Sequence, residues 1–307
     1  MDFKENISLA ELTTFKIGGP AKLFIEVQNQ EELIDCLNTA IKNNYPYFIL
    51  GGGSKVLFSD RGFDGLVIKL ANENIELDEN SIKAGAGIKM FKLIEFALAY
   101  NLTGLEWAAG IPGTLGGCVR GNAGAFGKFM EDCISSVETI QVSGDEINKK
   151  IYSNSECKFD NRESIFKHNN DIIWQAELKL EIGDANKARE KIKEHLDQRK
   201  TRQPLDYPSA GSVFKNILLK DHPNLPDKFS DIPILEGKIP AGWFIEQCGL
   251  KGKTIAKAQI SEKHANFIIN LGNARAQDVI ELIKIAKDSV FEKFSVKLEE
   301  EIQLIGF

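Results

Sequence analysis

Long apolar runs are missing from this 307-residue chain. No stretch approaches the length of a membrane span, and Met1-Asp2-Phe3-Lys4-Glu5-Asn6 lacks the apolar core of a signal peptide. Cysteine is scarce and unpaired. Cys36, Cys118, Cys133, Cys157 and Cys248 are odd in number and scattered, with no C-x-x-C pair. That excludes a disulfide framework or a zinc site of ordinary spacing, and it predicts reduced thiols in a cytoplasmic enzyme without a metal. Basic residues are outnumbered, and the formal net charge of −6 argues against nucleic acid or an anionic membrane as partner. Internal repeats and low-complexity tracts are absent too. What remains is the composition of an ordinary globular protein, long enough for two domains with their own cores.

Periodicity gives the outline. Leu23, Ile25 and Val27 at period two predict a strand, Leu33, Cys36, Leu37, Ala40 and Ile41 a helix, and Tyr47-Phe-Ile-Leu50 and Leu66-Val-Ile-Lys-Leu70 two more strands. From Ser81 the pattern is strand-rich around one helix whose apolar face carries Phe91, Leu93, Phe96 and Ala97. Strands are expected at 137–142 and 172–180, then an amphipathic helix with Ala188, Ile192 and Leu196 on one side. Two prolines make Arg202-Gln-Pro-Leu-Asp-Tyr-Pro208 a linker. Val279, Leu282, Ile283, Ala286 and Val290 mark a last helix. A closing strand is expected with Val296, Leu298, Ile302 and Leu304 on one face and Lys297, Glu299, Glu301 and Gln303 on the other.

Glycine is the residue in excess. Gly110-Ile-Pro-Gly-Thr-Leu-Gly-Gly117 runs into Gly121-Asn-Ala-Gly-Ala-Phe-Gly127, with seven glycines in eighteen positions. Glycine serves where φ must be positive or where a ligand must touch the main chain, and successive bared N–H groups form concave anion sites suited to a pyrophosphate. Two common phosphate motifs fail. Gly252-Lys253-Thr254 ends like a P-loop, but its first glycine would fall on Gln247, and Gly85-Ala-Gly87 starts like a dinucleotide fingerprint but has Met90 at the third glycine. That leaves a second cluster, Gly51-Gly-Gly-Ser54, some sixty residues before the block. The two could bracket one extended dinucleotide such as FAD; for the first cluster alone, a tight turn at a sheet edge explains the glycines equally well.

Gly51-Gly-Gly-Ser54, Gly110-Ile-Pro-Gly-Thr-Leu-Gly-Gly117 and Asn122-Ala-Gly-Ala-Phe-Gly127 resemble the FAD-binding loops of the UDP-N-acetylenolpyruvoylglucosamine reductase family. Thr13-Thr-Phe-Lys-Ile-Gly-Gly-Pro20 resembles the opening motif of that family. Cys157-Lys-Phe-Asp-Asn-Arg-Glu-Ser-Ile-Phe-Lys167, Ala210-Gly-Ser-Val-Phe-Lys-Asn216, His264-Ala-Asn-Phe-Ile-Ile-Asn270 and Leu298-Glu-Glu-Glu301 follow in family order, so the likeness spans nearly the whole chain.

The resemblance implies an α+β protein: a vanillyl-alcohol-oxidase-type FAD-binding fold of two subdomains plus a smaller α/β substrate-binding domain. The expected boundaries are 1–70, joined by the C-terminal strand 296–307, then 71–200, then 201–295. No long insertion with a substrate-capping tyrosine is found, which fits the shorter subtype. The implied activity is NADPH-dependent, FAD-mediated reduction of UDP-N-acetylglucosamine enolpyruvate to UDP-N-acetylmuramate for peptidoglycan. Gly51, Gly52, Gly53, Ser54, Pro112, Gly113, Thr114, Gly116, Gly117, Asn122 and Gly124 would hold FAD, without a covalent link. A monomer is expected.

Hydride delivery to a vinyl carbon needs a carboxylate clamp, stabilisation of developing enolate charge and one proton. Arg162 matches the catalytic arginine of the family, and its planar fork suits a carboxylate. Ser212 matches the proton donor, although on residues alone it reads as a serine in a glycine turn. Glu301 matches the second glutamate of a Leu-Glu-Pro-Glu pattern whose proline is Glu300 here; Glu299 competes on the same face. Arg202, Asn216 and His264 are implied substrate contacts. The chain departs from the family at Lys55 (usually asparagine), Asn161 (usually tyrosine) and Ile217 (usually proline). Another FAD oxidoreductase of the same fold, acting on a sugar alcohol or hydroxyacid, would share the glycine loops but not the Gly-Ser-Val-Phe-Lys-Asn and C-terminal glutamate motifs. A non-catalytic flavin or sugar-nucleotide binding module would need no Arg162, Ser212 and Glu301 set.

Overall fold

The computed structural model describes every residue except Asp145 and Ser230, and the side chain of Pro226. Two compact units are built from interleaved segments. One comprises Met1–Ile7, Ala21–Gly53 and Asp64–Arg199; the other comprises Ser8–Pro20, Ser54–Phe63 and Lys200–Phe307.

The first unit holds two sheets. A four-stranded sheet is ordered Lys4–Ser8, Pro20–Val27, Phe63–Leu70, Tyr47–Leu50, its last pair parallel. Helix Gln30–Lys42 makes the crossover, and its N-cap Asn29 accepts a hydrogen bond from Glu32 N–H. A five-stranded antiparallel sheet is ordered Glu146–Ser153, Ile134–Ser143, Ile172–Lys179, Ser81–Gly85, Ile75–Asp78. One core runs through both, from Val27 and Leu66 to Ile140 and Ala176. Four of the five cysteines are buried and all five are free. Burial pushes the thiols of Cys118, Cys133 and Cys157 up to about 12, so they act as small apolar side chains.

Helix Met90–Ala99 buries Met90, Leu93, Ile94, Ala97 and Leu98, whereas Phe91 is 58% exposed. Of the expected face Leu93, Phe96 and Ala97 do pack inward; only Phe91 does not, because it lies about 100° around the helix from Met90. In helix Ala185–Arg202 the inward row is Ala188 and His195, while Leu196 is exposed. A polar ring occupies the place where an apolar one was anticipated.

The second unit has a four-stranded antiparallel sheet ordered Ser209–Ser212, Phe267–Asn270, Ala258–Ile260, Thr254–Ile255. Helix Ala276–Phe294 covers it with Val279, Leu282, Ile283, Ala286 and Val290, all buried as their spacing predicts. Gly252-Lys253-Thr254 leads into the Thr254–Ile255 hairpin strand, not into a helix. The closing strand is shorter than its alternation suggests. Only Gln303–Ile305 is a strand, parallel to Val56–Phe58, and Leu304 is exposed. Before that the backbone pairs elsewhere: Lys215 N–H donates to Glu299 O and Glu301 N–H to Val213 O, and then Gln303 N–H donates to Lys55 O. The chain bends at Glu301–Ile302 as it changes partners. Among the described residues no helix is long and apolar enough to cross a membrane.

The opening motif is structural in this unit. Phe15 and Ile17 are buried, Thr14 Oγ1 donates to Ser209 O, and Asn270 Nδ2 donates to Phe15 O. Asp60 caps helix Ala276–Phe294: its carboxylate accepts from the N–H groups of Ala276 (2.8 Å) and Gln277 (3.2 Å), two of the donors a helix start leaves unmet. Asp60→Ala is expected to lower the unfolding free energy by about 1–2 kcal/mol in urea denaturation. A loss below about 0.5 kcal/mol, ordinary for a surface change, would remove this cap from the stabilising interactions.

Candidate flavin and substrate sites

In the first unit the two glycine clusters meet. Strand Tyr47–Leu50 ends at Gly51, and the loop that follows lies against Pro112–Thr114. A Cβ on Gly51 would sit 2.6 Å from Thr114 Oγ1; one on Gly52 would sit 3.1 Å from Gly113 Cα and 3.2 Å from Thr114 N. Gly53 has φ +64. Bare backbone is needed here for main chain to approach main chain. Thr114 Oγ1 is buried and has no hydrogen-bond partner among the described residues. A buried hydroxyl in this state costs about 1–3 kcal/mol unless something else bonds it. The cradle and the orphaned hydroxyl therefore fit a ligand oxygen such as a phosphate of FAD.

The glycines of the long block have separate duties. Leu115 and Gly116 N–H groups are already bonded to Ile88 O and Ala86 O. Gly116 is buried, and a Cβ there would meet Ala86 Cβ at 2.8 Å. Its bareness serves the packing of helix Leu115–Arg120. Gly117 is exposed beside Thr114. Gly124 leaves room for the Phe129 ring, 2.1 Å from where its Cβ would be. Asn122 is 1% exposed, and its side chain is spent inside the protein: Nδ2 donates to Asp160 O and Oδ1 accepts from Glu131 N–H.

Those bonds fasten the loop that carries Arg162. Asp160 and Glu163 exchange backbone hydrogen bonds around Asn161 and Arg162, and Arg162 sits at φ +56, a conformation unusual for a side chain of its size. Lys167 Nζ caps the Arg162 carbonyl. Nη2 donates to Gly124 O at 2.7 Å and Nη1 to Asn122 O at 3.5 Å, so the glycine block orients the guanidinium. Arg199, which sequence reasoning missed, lies 5.3 Å over the Phe126 ring, and Phe126 stacks on His195 at 3.9 Å. Burial, and then the charge of Arg162, hold the Arg199 guanidinium below its ordinary value. The inward polar row of helix Ala185–Arg202 could have been found from His195 and Arg199 at i, i+4.

In the second unit Ser212 ends a strand whose Gly211 has φ +73. Asn266, buried and also missed, holds the next residues. Its Oδ1 accepts from Phe214 N–H and its Nδ2 donates to Phe214 O, both at 2.9 Å, as a neighbouring strand would. The three consecutive glutamates separate by partner. Glu299 is exposed beside Lys215 (3.5 Å), Glu300 pairs with Lys287 (2.8 Å), and Glu301 is largely buried 3.0 Å from Lys55 Nζ. The same ammonium donates to Ser212 O at 2.7 Å. Ser212 and Glu301 are thus brought together around Lys55.

The remaining expected contacts are more dispersed. Arg202 is exposed at the end of its helix. Asn216 is exposed, with Oδ1 accepting from Ala241 N–H. His264 Nδ1 accepts from Asn266 N–H, which leaves the ring proton on Nε2, and burial keeps the imidazole below its ordinary value.

The bare-backbone cradle suits a flavin, and comparison with known proteins defines the class, a flavin-dependent oxidoreductase, and specifies it. A model of the FAD binding domain matches residues 21–148, and one of the UDP-N-acetylenolpyruvoylglucosamine reductase C-terminal domain matches 203–305. The UDP-N-acetylenolpyruvoylglucosamine reductase of Caldanaerobacter subterraneus is 40% identical, covering 96% of this chain and 90% of the relative; that of Carboxydothermus hydrogenoformans is 41% identical, covering 98% and 93%. The crystal structure of the Thermus caldophilus reductase superposes with a TM-score of 0.78 at 32% identity, over 99% of this chain and all of that one. The chain belongs to the UDP-N-acetylenolpyruvoylglucosamine reductase family. It is an α+β protein with the vanillyl-alcohol-oxidase-type FAD-binding fold.

Thr114→Val tests the cradle. Removing an unpaired buried hydroxyl should leave the stability of the FAD-free protein unchanged or raised, while weakening FAD about tenfold or more by fluorescence titration. Unaltered FAD affinity would show that the hydroxyl does not face the cofactor.

Proposed function

We propose that this chain reduces UDP-N-acetylglucosamine enolpyruvate to UDP-N-acetylmuramate with NADPH, a cytoplasmic step of peptidoglycan synthesis and hence of cell-wall growth. The observation that carries the reading is the Ser212–Lys55–Glu301 cluster, in a unit matching the C-terminal domain of this reductase. FAD, dissociable and held by residues of the two glycine clusters, supplies the hydride chemistry when bound. The residues of the chain supply the rest.

Arg162 clamps the carboxylate of the enolpyruvyl group. Two backbone carbonyls and a left-handed turn fix its plane in advance, which saves ordering cost at the moment of reaction. Ser212 delivers the proton to the carbon next to that carboxylate. A hydroxyl is a weak acid, so it needs a basic acceptor and a water-poor, charged setting, and the Lys55–Glu301 pair provides the charges. Glu301 balances charge beside Ser212 as the proton moves. Asn216 offers its amide N–H groups and His264 its Nε2–H to the sugar nucleotide, and Arg202 meets the diphosphate.

The three-part division 1–70, 71–200 and 201–295 is part of the same proposal. Pairing of Gln303–Ile305 with Val56–Phe58 supports a C-terminal return to the N-terminal third. We further propose that the protein works as a monomer, away from membranes and nucleic acid.

Ser212→Ala should load FAD and be reduced by NADPH at the parent rate. Its reduced flavin should then be reoxidised by the enolpyruvyl substrate about a hundredfold or more slowly in anaerobic stopped flow, the scale of a lost general acid. Reoxidation at the parent rate would remove Ser212 from the proton-donor role.

A further inference from the structure

Lys55 stands in the loop after Gly51-Gly-Gly-Ser54. Its side chain reaches two distant segments of the chain. The ammonium lies 3.0 Å from Glu301 Oε1 and donates to Ser212 O at 2.7 Å. Both are more than one hundred and fifty residues away in the chain. The stem passes over Gly211, where a Cβ would come within 3.4 Å of Nζ; glycine at φ +73 keeps that path clear. The Lys55 backbone is tied to the same region, because its carbonyl accepts from Gln303 N–H at 2.8 Å. Glu301 N–H in turn bonds Val213 O at 2.7 Å. One lysine therefore fastens three segments: the loop after the first glycine cluster, the end of the Ser209–Ser212 strand, and the Glu301–Gln303 bend.

The energetics point to position, not stability. Lys55 is 37% exposed and Glu301 14%, and an exposed ion pair contributes about 0–1 kcal/mol to folding. Burial on the glutamate side makes the geometry of that carboxylate depend on its partner. Glu299 and Glu300, its neighbours in sequence, pair with Lys215 at 3.5 Å and with Lys287 at 2.8 Å.

We propose that Lys55 is a positioning residue that sets Glu301 against Ser212. The proposal rests on the functional reading above. Its mode of action is to fix one carboxylate oxygen and one backbone carbonyl at a common point, so that the Ser212 hydroxyl and the Glu301 carboxylate keep their mutual geometry while substrate is bound. Misplacing a catalytic group by about 1 Å can cost on the order of a hundredfold in rate.

The test is a kinetic double-mutant cycle on full-length, FAD-loaded protein, following reoxidation of the NADPH-reduced flavin by the enolpyruvyl sugar nucleotide. Lys55→Met should slow reoxidation about ten- to a hundredfold, with a much smaller change in the half-saturating substrate concentration. Lys55→Arg, which keeps the charge and the donors, should recover most of the rate. In the Glu301→Gln background, Lys55→Met should cost less than about threefold, because residues acting as a unit are not additive. Equal losses in both backgrounds, or a Lys55→Met rate within about twofold of the parent, would overturn the proposal. If Lys55→Met fails to fold, Lys55→Asn takes its place in the cycle with the same criteria. A parent protein whose reduced flavin is not reoxidised by this substrate would instead contradict the functional reading, and the proposal with it.

Discussion

The close approach of two bare backbones, Gly51–Gly52 against Pro112–Thr114, is the constraint around which the first unit is organised. A side chain on either glycine would push the loops apart, since the nearest atoms stand 2.6 and 3.1 Å from where its Cβ would go. Once the loops meet, Thr114 is left with a buried hydroxyl that no group among the described residues satisfies. Folding alone gives no reason to keep that arrangement; binding an oxygen-rich cofactor does. The same block extends its influence to chemistry. Asn122 ties it to Asp160, and the carbonyls of Asn122 and Gly124 set the plane of Arg162. The loops proposed to hold the flavin thus also aim the guanidinium proposed to meet the substrate.

The second unit applies the same economy with a cation. A short strand ending in Ser212 and a bent C-terminal segment carry the two groups proposed for proton transfer, and neither is rigid by its own secondary structure. Asn266 substitutes for a missing strand partner at Phe214, and Lys55 joins the two segments by their carbonyl and carboxylate. Tertiary hydrogen bonds do here what a longer sheet would otherwise do. The cost is one buried amide side chain and a half-buried ion pair, both of them satisfied.

How much of this was legible in the sequence depended on whether the cause was local. The stripe of helix Ala276–Phe294 and the strands flanking Gln30–Lys42 follow from residue spacing, because burial on one face is a local requirement. The glycine clusters were legible as bare backbone. Their division of labour was not, since Gly116 faces Ala86 while Gly51 faces Thr114, and spacing cannot tell a packing glycine from a ligand-facing one. Alternation placed Glu299 and Glu301 on one face, yet the chain bends at Glu301–Ile302, with Glu299 exposed beside Lys215 and Glu301 largely buried against Lys55. Phe91 misled because its hydrophobicity outweighed its angle on the helix. Lys55 stood out only as a departure from a familiar pattern; its partners lie too far along the chain for any local rule to find.

The central claim is that this chain holds FAD and uses it to reduce an enolpyruvyl sugar nucleotide. It is tested most directly by purified protein loaded with FAD, given NADPH and UDP-N-acetylglucosamine enolpyruvate, with product followed by mass spectrometry alongside NADPH consumption. The account predicts a yellow protein that releases its flavin on denaturation, consumes NADPH in proportion to the enolpyruvyl substrate, and forms UDP-N-acetylmuramate. A colourless protein that cannot be loaded with FAD, or one that oxidises NADPH without forming that product, would contradict it.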